Sequence, residues 1–174
     1  MDGMARGAIA RNVRRVAHLD IPGGGQVMVR GDIALVGHLD PPHGTSILDI
    51  SDPRRPRVLS QIALANNYSH SHKARFAGDR DLMLVNSEMH DRHFLRKGFD
   101  LPAQAAAFRS RDGRDPTDPE LAALLRAPVD RLDELRAVAA RGYPDGGFRI
   151  YDIADPTRPR QVAFQRTGGI GVHR

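Results

Sequence analysis

The chain has 174 residues, enough for one domain with its own core, and its 40% hydrophobic content, 17 glycines and 12 prolines describe a globular, turn-rich protein, not a disordered one. It contains no cysteine, which excludes a disulfide framework and any thiolate metal site. The net charge of +5 comes from arginines interleaved with aspartates, as in "SDPRRPR" and "DRLDELR", with lysine only at Lys73 and Lys97. A nucleic-acid binder concentrates such charge on one segment or face, so no nucleic-acid partner is expected.

The N-terminal stretch "MDGMARGAIARNVRRVAHLD" has arginines but no apolar core of the signal-peptide kind, and it lacks the serines usual in a transit peptide. No run approaches the roughly 18 apolar residues of a membrane span. A cytoplasmic protein with no membrane partner is the expectation.

The first elements are strands. "VMVRGDIALVGH" (27–38) reads as strand, Gly-Asp turn, strand, with Gly31 supplying the positive φ that the turn needs. "GTSILDISDPRRPRV" (44–58) then gives a third strand, an Asp-Pro turn and a fourth strand. The order recurs: "ARFAGDRDLMLVNS" (74–87) repeats the hairpin around Gly78, and "GGFRIYDIADPTRPRQV" (146–162) repeats the second half. Asp49 matches Asp152, Asp52 matches Asp155, Pro53 matches Pro156 and Pro56 matches Pro159. These aspartates are read as turn builders. A third copy begins at "GGIGVHR" (168–174).

Residues 91–145 interrupt the second copy. "PTDPELAALLRAP" has Thr117 or Asp118 as a helix cap, Pro119 and Glu120 in the first turn, and a stripe of Leu121, Leu124 and Leu125. "VDRLDELRAVAARG" continues with Val129, Leu132, Leu135 and Val138 at helical spacing and Gly142 at its end. "RSRDGRDP" before them is a polar loop. The insertion is thus expected to be an α-helical hairpin, packed on the outside or serving as a lid.

Four short antiparallel strands per copy is the arithmetic of a β-propeller blade. The expected fold is all-β, with about two blades, the start of a third and the inserted hairpin, forming one incomplete propeller over residues 1–174. A β-sandwich of similar hairpins explains the short strands but not the recurrence. The pattern "GDIALV … GTSILDISDPRRP" resembles the LVIVD-repeat β-propeller family, over roughly residues 20–90 and 146–174. It is loosely similar also to the propellers of the selenium-binding protein/methanethiol oxidase group, where histidines serve metal chemistry. A closed ring needs at least four blades, so the resemblance implies either a piece of a longer propeller or closure by self-association.

The candidate site lies in "YSHSHKARFAGDRDLMLVNSEMHDRH" (68–93). Residues two apart in a strand share a face. With paired numbers summing to 160 around the Gly78–Arg80 turn, His72 lies opposite Glu88 and His70 opposite His90. A sum of 158 keeps all four on that face. Superposing the Gly-Asp turns puts His90 on His43, and His72 corresponds to His173 at the start of the third copy. Neutral imidazoles with one carboxylate suit a divalent transition metal. The ligand candidates are His72, His173 and Glu88 first, then His90, His43 and His70, while His93 is assigned to the loop. The alternative is that these side chains cap strand ends and line a wet channel. Ser69, Ser71 and Ser87 lie near histidines without a G-x-S-x-G elbow, and "PGGGQV" is no phosphate loop. Two functions follow: a protein that binds a metal or small ligand, or a non-catalytic scaffold for a protein partner.

Overall fold

The computed structural model describes residues 12–172. β1 (Gly24–Arg30), β2 (Ile33–His38), β3 (His43–Asp49) and β4 (Arg57–Ala63) form one antiparallel sheet in sequence order. β5 (Ser69–His70), β6 (Ala74–Phe76), β7 (Leu82–Met89), β8 (Gly147–Asp152) and β9 (Arg160–Arg166) form a second, in which β5 and β6 both pair with β7. Both sheets are therefore four-stranded meanders, the first strand of the second being broken in two. Neither closes on itself among the described residues. No helix among them is long and apolar enough to cross a membrane.

Local chemistry accounts for the turns. Arg30 pairs directly with Ile33, and of the two residues between them only Gly31 has positive φ (56°), the pattern of a II′ hairpin turn. Each Asp-Pro turn is held by its own aspartates. Asp52 Oδ1 accepts from the Arg54 amide (3.0 Å) and Asp155 Oδ1 from the Thr157 amide (3.0 Å). Asp49 accepts from the Ser51 hydroxyl and amide and from Arg57, and these bonds, Ser51's first, hold its carboxyl down at about 2.

The sheets pack face to face. Leu35 and Ile47 of the first meet Ala74, Met83, Val85, Tyr151 and Ile153 of the second. The opposite face of the first sheet, Ala34, Val36 and Leu48, is covered by Leu19 and Ile21. The seam includes main chain: the Gln26 amide donates to His72 O (2.9 Å) and the His38 amide to Ser71 O (3.1 Å). His72 therefore turns its carbonyl away from its own sheet, which is why β5 and β6 are separate. His70 pairs with Glu88 and Ala74 with Val85, so the three residues between them on one strand face two on the other, a bulge.

Between β7 and β8 the expected helical hairpin is corrected: this segment holds four α-helices among the described residues. They are α1 (Arg92–Leu95), α2 (Lys97–Asp112), α3 (Asp118–Leu125) and α4 (Leu132–Arg141), with a 3-10 turn at Val129–Arg131. α3 and α4 lie where their caps and stripes place them, Thr117 donating its amide to Glu120 Oε2 (2.8 Å). "RSRD" is the last turn of α2, not loop, and the chain leaves the helix at Gly113 (φ 72°). α2 crosses α4 closely at Gly98, where a Cβ would lie 2.6 Å from Leu135 O. Leu121, Leu125, Leu132, Leu135 and Val138 form a core with Met89 of β7 and Tyr143. Leu135 is fully buried (0% exposed), so Leu135→Ala is expected to lower the free energy of unfolding by about 2–5 kcal/mol. Denaturant titration measures this as a lower midpoint.

Candidate metal centre

Three side chains from β5, β7 and the bulge between β5 and β6 converge at one end of the second sheet. His70, His72 and Glu88 each place a ligand atom within 4.8 Å of the others, a group that could hold a metal ion. Glu88 Oε2 lies 3.5 Å from His70 Nε2 and 3.8 Å from His72 Nδ1. Metal–ligand bonds of about 2.0–2.2 Å at tetrahedral angles set donors about 3.3–3.6 Å apart. The two distances from Glu88 nearly fit as they stand, and the widest separation in the group, within 4.8 Å, closes by about 1 Å on binding. The pairing differs from the first expectation by two residues. His70, not His72, is opposite Glu88, the register in which paired numbers sum to 158; nearer the turn the pairs sum to 159, and the extra residue of the bulge makes up the difference.

The hydrogen bonds fix which atoms carry lone pairs. His70 Nδ1 meets Leu39 O at 3.2 Å. A carbonyl only accepts, so the proton is on Nδ1 and Nε2 presents a lone pair. That Nε2 is buried and has no hydrogen-bond partner. Asn86 takes the Lys73 amide on Oδ1 (2.9 Å) and turns its NH2 to Val172 O (3.1 Å) and His72 Nδ1 (3.5 Å), so His72 Nδ1 is also on the accepting side. Glu88 is 1% exposed, and its other oxygen, Oε1, forms an ion pair with Arg92 of α1. The His70 Nε2 lone pair thus faces a carboxylate oxygen at a buried point, and the His72 Nδ1 lone pair joins it only by giving up its long contact with the Asn86 NH2. A cation or a proton is what such a point attracts.

Burial lowers the pKa of His70 below its ordinary 6.5, opposed by the Glu88 carboxylate. The unfolded chain therefore takes up this proton at higher pH than the folded one. Without metal, stability is expected to fall as pH drops below 6.5 and to level off once folded His70 is protonated. Denaturant midpoints between about pH 8 and 5 check this, and His70→Gln should flatten the profile in that window.

The other candidates lie apart from this trio or at its edge. His90 follows β7, its ring 5.7 Å from that of His70, with Nε2 3.9 Å from Asp40. His43 begins β3, and its ring neighbour is the buried His38 at 6.1 Å. His173 lies outside the described residues. The equivalence of His43 and His90 is corrected by the strand pairing. Leu35 faces Ile47, and Leu84 faces Ile150. With the Asp-Pro turns superposed, Leu35 corresponds to Leu84. The second hairpin turn is therefore two residues longer than the first, and His90 falls on Pro41. On the same superposition Gly23, Gly25 and Leu39 occupy the places of His70, His72 and Glu88. The trio belongs to the second copy alone.

The trio opens into a cleft of about 370 Å³ lined also by Asp40, His90, Arg92 and His93. A second cleft of about 410 Å³, lined by Tyr68, Arg131 and Arg141 among others, shares His90 and Asp91 with it. Arg92, Asp40 and His93 belong to the site's surroundings; the sequence did not single out the first two, and His93, expected in a loop, lies in α1. The spacing of Arg92 four residues after Glu88 was the available signal. Comparison with protein-family models, with curated proteins and with solved structures returns no match, so the geometry alone carries the functional reading.

Proposed function

We propose that this chain is a metal-binding repeat protein of the β-propeller kind, holding a divalent transition metal through His70, His72 and Glu88. The observation that carries the reading is the buried, unpartnered His70 Nε2, aimed at Glu88 Oε2 from 3.5 Å. Two imidazoles and a carboxylate with no sulfur suit Zn²⁺, Fe²⁺, Mn²⁺, Cu²⁺ or Ni²⁺. Arg92 and Leu39 O hold two of the ligands in orientation from behind, as partners of metal ligands generally do. The propeller assignment rests on the stacked four-strand meanders and on the LVIVD-like "DISDP" and "DIADP" turns. Further blades, from the same or another chain, would complete the ring.

Elemental analysis of the purified chain after reconstitution with each metal tests the site. About one equivalent is expected to survive dialysis and to disappear in the His70→Ala/His72→Ala protein. A wild-type chain that retains none of the five metals sinks the proposal.

A further inference from the structure

The trio leaves coordination positions open toward the cleft, because a metal held by two imidazoles and one carboxylate oxygen has room for further ligands. Beside those positions stands Arg92, whose Nη1 engages Glu88 Oε1. Its Nη2 and Nε make no hydrogen bond among the described residues, and its side chain is 29% exposed in the cleft wall. Glu88 thus spans two positive partners, with Oε2 toward the metal and Oε1 on the guanidinium. The metal and Arg92 are held one carboxylate's width apart.

A second carboxylate can use the same spacing from the cleft side. The guanidinium fork matches a carboxylate edge, and its remaining N–H groups are available for one. A divalent ion and Arg92 against Glu88 and Asp40 still leave an excess of positive charge. The neighbouring Arg131 does not compete, being paired with Asp91 (3.0 Å) and Glu134 (2.7 Å). We infer that the cleft binds a small carboxylic acid, one oxygen on the metal and the other on Arg92, mirroring the bridge that Glu88 makes from the protein side. The inference rests on the metal site proposed above and names the class of ligand that the site takes.

The test uses the full chain loaded with Co²⁺, whose visible bands respond to a change of ligand. Acetate is the anionic probe, and imidazole is a neutral ligand for the same open positions. In the wild type both are expected to shift the bands saturably. In Arg92→Gln, brought to the same Co²⁺ occupancy, acetate should bind about 10- to 100-fold more weakly, the effect of losing a charge-assisted hydrogen-bond pair. Imidazole affinity should stay within about twofold, and Arg92→Lys should recover part of the acetate affinity. Acetate that leaves the wild-type bands unchanged overturns the inference without any variant. So does an Arg92→Gln protein that loses acetate and imidazole equally, since that marks Arg92 as a support for Glu88 only. A wild-type chain that takes up no Co²⁺ overturns this inference, and one that also retains none of the five metals overturns the metal site with it.

Discussion

The His70→Ala protein is expected to lose more than about 100-fold in Zn²⁺ or Co²⁺ affinity while folding, without metal, at nearly unchanged stability. A residue that only orients a ligand costs about 10- to 100-fold when removed, so a larger loss marks direct ligation. The stability half of the prediction comes from the opposite balance at the two ring nitrogens. Nδ1 donates one hydrogen bond, to Leu39 O, worth about 1 kcal/mol. Nε2 is buried with no hydrogen-bond partner, a desolvation cost of about 1–3 kcal/mol that alanine removes. The two terms nearly cancel. Isothermal titration with the metal, alongside denaturant unfolding in a chelator, reads both quantities. A variant that unfolds readily yet binds metal as the wild type does would show His70 to be a structural residue.

Gly37→Ala is the second large effect, and it acts on the same site from the other sheet. A Cβ on Gly37 would stand 2.3 Å from the His72 carbonyl carbon and 2.4 Å from its oxygen. Both neighbours are main chain, and His72 O is tied to the Gln26 amide, so no side chain can swing aside. Overpacking of this kind costs about 1–3 kcal/mol where the surroundings yield. Here they yield only by parting the sheets, so the loss should reach or pass the upper figure. The displaced His72 should weaken metal binding as well. Gly31→Ala is the control. Its Cβ meets nothing within 4 Å, and only its φ of 56° is strained. About 1 kcal/mol of destabilisation with metal affinity intact is expected there. Equal effects from the two substitutions would show that the close approach at His72 is unimportant.

The repeat was legible because its turns use residues with few substitutes. Asp and Pro build the third-to-fourth strand turn, and a glycine with positive φ builds the hairpin, so a four-strand period shows even where strand residues differ. α3 and α4 were legible from a capping box and a leucine stripe. α2 was not: its inward stripe of Gly98, Leu101, Ala105 and Phe108 is built mostly of small residues, and Pro102 stands inside it, so it carries little signal. It is helical because Gly98 lets it lie against α4. Within the site, strand alternation placed His70 with Glu88, whereas His72 reaches them from a bulge that alternation does not describe. Arg92 and Asp40 were invisible, and His93 was misplaced in a loop, because a helix start and a turn lie beyond the reach of alternation. The matching of His43 with His90 failed for a definite reason. Two extra residues in the second hairpin turn leave its first strand in step with the first copy and move its second strand out of step. Only the pairing partners across β3 and β8 reveal this.

Asp91 joins the ligand strand to the helical layer in the left-handed backbone region, with φ 50° and ψ 39°. It is one residue from His90 and from Arg92, and its carboxylate is gripped by Arg131 just ahead of α4. Glu88 and its guanidinium partner therefore sit on opposite sides of a single fixed corner. The helices are steered at that corner, and whatever rotates them as a body also changes the angle at which Arg92 meets the carboxylate.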